Sequence, residues 1–351
     1  MIEPLADRLL DQVLGGGPLA RLSVVGLSKN AGKTVTLNHL IHAAAARQVT
    51  LGLVSTGRDG EEQDAITELP KPRIWAPAGT WVATARGALA AATATLTKFR
   101  ELPLMTPFGP VVLARVENAG EVLLIGPGSV RRVGEAVGAL EGYGARLSLV
   151  DGSFDRIAAA APGITGRVVL AAGAAYSGSM SETLSQIRHV LDVFDLPPVP
   201  PDIEASVERA ATHHAVSVVS QSGGVNPVLV ASPLGDPELI AAAAAVEPGG
   251  YLVLDGAFSD RLLLILLKRR LTAITVVVND PTHILVDRNL WRRWSRQGGR
   301  VRVRRSVQLL AITTNPHSPV GRSYDAAEFH QAVQTVAHRP VYDLEAGLAG
   351  R

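Results

Sequence analysis

The sequence predicts an α/β fold, with a mainly parallel sheet flanked by helices, an inserted antiparallel β piece and a second α/β unit. Three observations carry that expectation. Short apolar runs alternate with runs of helical periodicity along most of the chain, which is the pattern of strands and helices taken in turn. Residues 72–130 break it with a Pro- and Gly-rich opening and two long alternating runs. "DLPPVPPD", residues 195–202, holds four prolines, which cannot continue a helix or a central strand. The expected organisation is 1–195 with the insertion at 72–130, then 203–351.

The elements follow in order. "MIEPLADRLLDQVL" reads as a short amphipathic helix, because its acids come too early for a secretion signal. "RLSVVG" is a buried strand. "TVTLNHLIHAAAARQ" is a helix with Val35, Leu37, Leu40, Ile41 and Ala44 on its inner side. "VTLGLVST" is a second strand. "VVLARVENAGEVLLIG" reads as a hairpin turning at Asn118-Ala119-Gly120. A helix over 130–142, the strand "RLSLV", the strand "RVVLAAGA" and the helix "MSETLSQIRHVLDVF" complete the first part. Beyond the prolines come strands at "AVSVVS", "PVLVAS", "YLVLDG", "AITVVVND", "RVRVRRS" and "LLAITTN", with helices at "PELIAAAAAV" and "DAAEFHQAVQTVA". A weak repeat links "LVDGSFDR" (149–156) to "VLDGAFSDR" (253–261), which suggests related halves of one sheet or two stacked layers.

Composition narrows the chemistry. The 351 residues contain no cysteine, which excludes disulfides, thiolate metal sites and cysteine nucleophiles. The longest apolar run beside charge, "LLLILL" at 262–267, is too short to span a bilayer, so a cytoplasmic chain without a membrane partner is expected. The net charge of +2 provides no global field for nucleic acid. The five lysines are 29, 33, 71, 98 and 268, and two of them fall in one loop.

That loop is "GLSKNAGKTV". Gly32-Lys33-Thr34 ends it as a phosphate-binding loop should end, between an apolar strand and a helix start. The upstream glycine is Gly26, and five residues separate the two glycines where the usual template has four. In such a loop successive backbone N–H groups line one concavity, with the helix dipole behind them. Gly26, Ser28, Lys29, Asn30, Ala31, Gly32, Lys33, Thr34 and Val35 are therefore the candidate nucleotide-binding residues. Lys33 would neutralise the outer phosphates and Thr34 would hold Mg²⁺.

The five-residue spacing resembles the loop of dethiobiotin synthetase and its relatives, including cobyric-acid-type amidases, within the SIMIBI type of P-loop NTPase. "EEQDAI" (61–66) resembles the segment after that family's second strand, which implies Asp64 as a Mg²⁺ ligand; Asp59 is its close competitor. "LSLVDG" resembles the strand that ends in an acid-Gly pair, which implies Asp151 on Mg²⁺ and, with Lys33, in catalysis. Hard oxygen donors of this kind suit Mg²⁺. The bland readings are a turn-forming Asp-Gly pair for Asp151 and a solvated acid for Asp64. The family places a second lysine after its second strand. Here the segment is "VSTGRDG", and Arg58 cannot act as a neutral base, so the nucleotide site carries over and the ligase reaction does not.

A wider resemblance runs through most of the chain. "GLSKNAGKTVTLNHL", "GTWVATA", "TPFGPVVLARVENAGEVLLIGPGS", "LVDGSFDR" and "TTNPHSPVGRSYD" look like the ATP-binding reactivase subunit of the adenosylcobalamin-dependent lysine aminomutase system. It implies an accessory ATPase using ATP and Mg²⁺ that exchanges inactivated cobalamin on a protein partner, either the aminomutase or a second reactivase subunit. SIMIBI chains often place the site near a dimer interface, so a homodimer is compatible with it. ATP against GTP stays open.

Base recognition belongs at strand ends beside the loop, where Asn279 and Asn315 are candidates beside a turn-capping reading. "RNLWRRWSRQGGRVRVRR" (288–305) holds eight arginines with Trp291 and Trp294. Arginines interleaved with aromatics can bind single-stranded nucleic acid, but a solvated face over core tryptophans is the reading preferred, and nucleic acid is not the expected partner. The histidines, including His39, His42, His213 and His214, show no metal spacing. No Ser/His/Asp set emerges.

Overall fold

The computed structural model describes residues 5–15, 17–57, 74–152, 157–319, 321–345 and 347–350. It is mixed α/β and divides into two compact units, residues 1–188 with 308–351, and residues 189–307.

In chain order the first unit begins α1 (Leu5–Leu14), β1 (Ala20–Gly26), α2 (Lys33–Ala46), β2 (Leu51–Ser55), β3 (Ile74–Ala76), β4 (Trp81–Ala85), β5 (Thr95–Thr106), β6 (Gly109–Asn118), β7 (Gly120–Val122), α3 (Val130–Gly142), β8 (Leu147–Asp151) and β9 (Arg167–Gly173). Helix α4 (Met180–Phe194) leads into the second unit, made of α5 (Pro201–His213), β10 (Val216–Val219), β11 (Val225–Pro227), α6 (Pro237–Ala245), β12 (Tyr251–Leu254), β13 (Phe258–Ser259), α7 (Asp260–Lys268), β14 (Thr275–Val278), β15 (Ile284–Leu285), α8 (Arg288–Arg296) and β16 (Arg300–Val303). The chain then returns to the first unit with β17 (Gln308–Asn315), α9 (Ala326–Val336), β18 (Val341–Asp343) and β19 (Leu348–Gly350).

The main sheet has the order β19-β18-β17-β9-β1-β8-β2-β4-β6-β5. Its centre, from β18 to β4, is parallel. Both margins turn antiparallel, at β18–β19 and across β4–β6–β5. Strands β2, β8 and β9 are buried almost throughout, as a parallel sheet covered on both faces requires. Because the central strands run the same way, Gly26, Ser55, Asp151, Gly173, Asn315 and Asp343 all end on one edge of the sheet. Ligands of open α/β sheets bind outside that edge.

Three expectations change. The sequence groups 308–351 with the second part, but β17 pairs in register with β9 from Gln308↔Arg167 to Asn315↔Gly173. The hairpin expected at Asn118–Gly120 does not form. β6 pairs with β4 and β5, whereas β7 pairs with β3 as Ile74↔Val122 to Ala76↔Gly120. Gly120 explains the parting, because a Cβ there would stand 2.5 Å from the Ala94 backbone nitrogen, so the chain is pinned against another segment. Val35, expected inside, is 40% exposed, while Leu37, Leu40, Ile41 and Ala44 are buried.

The second unit has its own sheet, β11-β10-β12-β14-β16, parallel from β12 to β16 and antiparallel at β10. Leu252, Leu254, Val276, Val278, Val301 and Val303 form its core with the buried sides of α6, α7 and α8. Of the acids of the weak repeat, Asp151 ends β8 and Asp255 follows β12, in two separate sheets; residues 153–156 of that repeat lie outside the described residues.

Candidate functional site

The loop between β1 and α2 is built on three close approaches. Leu27 N–H donates to the Ala171 carbonyl of β9 at 2.9 Å, so the loop begins against the neighbouring strand. A Cβ on Gly173 would lie 3.0 Å from Ala31 Cα, so the end of β9 must stay bare for the loop to pass. A Cβ on Gly26 would lie 2.9 Å from Lys33 Cγ and 3.0 Å from Lys33 Cδ. The Lys33 stem thus folds back across the loop onto the end of β1.

The bend uses left-handed backbone at two positions. Gly32 has φ 96° and caps α2 without a side-chain hydrogen bond; Asn30 has φ 58°. Glycine takes that conformation without strain, and asparagine is among the few other residues that tolerate it. Thr36 N–H makes the first helical bond to Gly32 O at 3.0 Å. The N–H groups at the start of α2 lie ahead of the helical ladder, and a helix start of this kind favours negative charge. Ser28 is 8% exposed, and its Oγ has no hydrogen-bond partner among the described residues. A buried hydroxyl left unpaired is costly, and no described residue supplies a partner for this one.

Asp151 ends β8, the strand beside β1, where it is opposite Val24 on one side and Ser55 on the other. Its carbonyl accepts from Thr56 N–H at 2.9 Å. The sheet therefore brings Asp151 to the same edge as Lys33 and Thr34. Asp64, Asp59 and Arg58 lie outside the described residues. Among the described residues no group of three or more His, Asp or Glu side chains could hold a metal.

Asn315, at the end of β17, braces the loop. Its Nδ2 donates to Asn30 O at 3.2 Å, and its Oδ1 accepts from His317 N–H at 3.0 Å. The Thr36 and Thr313 hydroxyls meet at 2.8 Å beneath it. A shallow cleft, with enclosed room for about one water molecule, lies here, with Val35, Thr313, Thr314, Asn315, Leu344 and Glu345 among its walls. Asp343, 2% exposed, fixes the far wall by accepting from Glu345 N–H at 3.1 Å and from Thr314 Oγ1 at 3.4 Å. The sequence reading included Ser28 and Val35 in the loop but missed Asp343 and Glu345. Only the placement of β18 beside β17 reveals the last two.

Asn279 belongs to the second unit. It follows β14 in the second unit, where Nδ2 donates to Asp255 Oδ1 at 2.7 Å and Oδ1 accepts from Arg304. Arg304 also pairs with Glu208, which holds that carboxyl below its usual range. Beside them, burial works to raise the Asp280 carboxyl, but its contacts with His283 and Thr282 outweigh it and leave the group lowered. In the arginine-rich segment Trp291 and Trp294 are 5% and 1% exposed, so its indoles are core and offer no stacking platform.

Compared with protein-family models, curated proteins and solved structures, the chain matches none of them. No helix among the described residues is long and apolar enough to cross a membrane.

Proposed function

We propose that this chain is a Mg-ATP-binding P-loop NTPase of the SIMIBI type, an accessory ATPase acting on a protein partner. The observation that carries the reading is the Lys33 stem folded back over Gly26, ahead of a helix start with no side-chain cap. Lys33 and the first N–H groups of α2 would hold the outer phosphates, and the unpaired Ser28 hydroxyl would find its partner there. Thr34 and Asp151 would hold Mg²⁺, with Asp64 or Asp59 as the acid from the segment after β2. Mg²⁺ would supply charge neutralisation on the phosphates. Lys33 would stabilise negative charge as the γ-phosphoryl group leaves, while the loop keeps the chain in place behind it.

A base would lie on the open surface beside Val35, outside the shallow cleft. Val35 and Leu344 offer apolar walls, and the Glu345 carboxylate can accept from an exocyclic amino group. Asn315, bonded to the loop through one amide hydrogen, retains a second for a ring nitrogen.

The biological form we propose is reactivation of a cobalamin-dependent aminomutase, on the resemblance that runs through the loop, the insertion and the C-terminal segment. The test is hydrolysis of ATP by the purified chain, alone and with a cobalamin-inactivated aminomutase. Slow basal turnover that rises with the partner supports the accessory role. Turnover that needs a small carboxylate or amine substrate instead would make the chain a ligase.

A further inference from the structure

The start of helix α4 is tied to the loop between β1 and α2 by two routes. One runs under the loop. Gly173 ends β9 so close beneath it that a Cβ there would meet the Ala31 and Asn315 carbonyl oxygens at 3.2 Å. Ala174 N–H then donates to the Asn315 carbonyl at 2.9 Å, and Tyr176 N–H to the Gly173 carbonyl at 3.1 Å. The chain next reaches Ser177, whose Oγ accepts from Ser179 N–H at 3.1 Å just before α4 begins. The other route runs through the C-terminal segment. Asn315 holds Asn30 of the loop, and the connection after β17 is pinched at its base, where Tyr324 N–H donates to the Pro316 carbonyl at 2.9 Å. The Tyr324 hydroxyl donates to the Ser177 carbonyl and meets the Thr183 hydroxyl at 2.8 Å. Both routes meet at Ser177, and the second goes on to Thr183 in the first turn of α4.

Thr183 is fully buried, and the Tyr324 ring lies edge-on to the buried Phe329 of α9 with centroids 5.0 Å apart, so the two hydroxyls are held in place. The helix carries the contact onward. α4 belongs to the first unit up to Arg188 and to the second from His189, where Val193 joins the second unit's core and His189 Nε2 lies 3.1 Å from the Val286 carbonyl. Its fifteen residues make one rod of about 22 Å. We propose that the Tyr324–Thr183 contact couples nucleotide occupancy of the loop to α4, and that this helix is the route by which the second unit reads the state of the site. The inference rests on the nucleotide reading of the loop. A nucleotide that fixes Asn30 and Ala31 also fixes the ends of β9 and β17 behind them. Opening of α4 then costs more, because the helix opens only by letting go of Ser177 and Thr183. Coupling is a free energy shared by two sites, so it falls away when the shared contact goes.

Hydrogen exchange of residues 180–188 tests it. Mg-ATP should slow their exchange by about fivefold or more in the unmodified chain, and should leave α3, which takes no part in either route, within about twofold. Tyr324→Phe and Thr183→Val each remove one hydroxyl from the same contact at nearly constant shape. Both should lose most of that protection, since the backbone route stops at Ser177, while Mg-ATP affinity stays within about threefold. Thermal stabilisation by Mg-ATP reads the nucleotide site separately. A chain that no nucleotide stabilises overturns the nucleotide reading and this inference together. A stabilised chain whose α4 exchange is unchanged, is slowed no more than that of α3, or stays slowed in both variants overturns this inference alone.

Discussion

Asn315 and Asn30, 285 positions apart in the chain, are joined by a 3.2 Å hydrogen bond from the Asn315 amide to the Asn30 carbonyl. Asn30 is the non-glycine residue of the loop in left-handed backbone. The end of β17 thus holds the least favourable part of the loop in place. Asn315→Ala should weaken Mg-ATP binding by roughly tenfold, the scale of one hydrogen bond of about 1.4 kcal/mol, by loosening a preformed loop. Titration of a fluorescent ATP analogue checks it, and unchanged affinity would remove Asn315 from the site.

Gly26→Ala addresses the lysine. The new Cβ would press on Lys33 Cγ at 2.9 Å and on the Ser28 carbonyl at 3.2 Å. A flexible side chain can yield, so the fold should survive while the ammonium is displaced. The expected result is a small change in thermal stability without nucleotide and a loss of most of the stabilisation by Mg-ATP.

Two other glycines are structural. A Cβ on Gly126 would stand 1.5 Å from the Ser55 carbonyl oxygen at the end of β2, where only backbone movement gives relief. On Gly299 it would enter the Trp294 ring at 2.1 Å. Overpacking of this severity costs about 3 kcal/mol or more. Chemical denaturation of Gly126→Ala and Gly299→Ala should show losses of that order, in the first and second unit respectively.

The pair His283 and Asp280 sets a pH dependence in the second unit. The Asp280 carboxylate, 3.3 Å from His283 Nδ1, holds the imidazolium above its ordinary value against the effect of burial. A raised histidine contributes fully below its unfolded value of about 6.5 and loses that contribution as pH rises through its folded value. Asp280, held low, contributes above the usual carboxylate range and loses it only in acid. The gap in melting temperature between the unmodified chain and His283→Gln should therefore be wider at pH 6 than at pH 9. An equal gap at both values would contradict the ion-pair account.

Much of the sheet was legible because its central strands are short continuous apolar runs bounded by loop residues, as at "RLSVVG" and "RLSLV". The turn between β1 and α2 was legible because Gly32-Lys33-Thr34 separates an apolar run from one of helical periodicity. The return of 308–351 to the first sheet was not. The outgoing connection announces itself with four prolines, but the return through Arg304-Arg305-Ser306-Val307 has no breaker to mark a boundary. The insertion misled for a related reason: Asn118-Ala119-Gly120 has hairpin chemistry, but β5 had already taken the free side of β6. Val35 sits at a helical position that periodicity assigns to the core, and only the cleft beside β17 shows why it is exposed.

Thermal unfolding with and without Mg-ATP, in the unmodified chain and in Lys33→Ala, tests the central claim most directly. At a ligand concentration a hundred times the dissociation constant, binding should stabilise the first unit by about 2.7 kcal/mol. The account predicts an upward shift of several degrees that disappears in Lys33→Ala, while the melting temperature without nucleotide stays close to that of the unmodified chain. No shift with any nucleoside triphosphate, or an equal shift in Lys33→Ala, would contradict it.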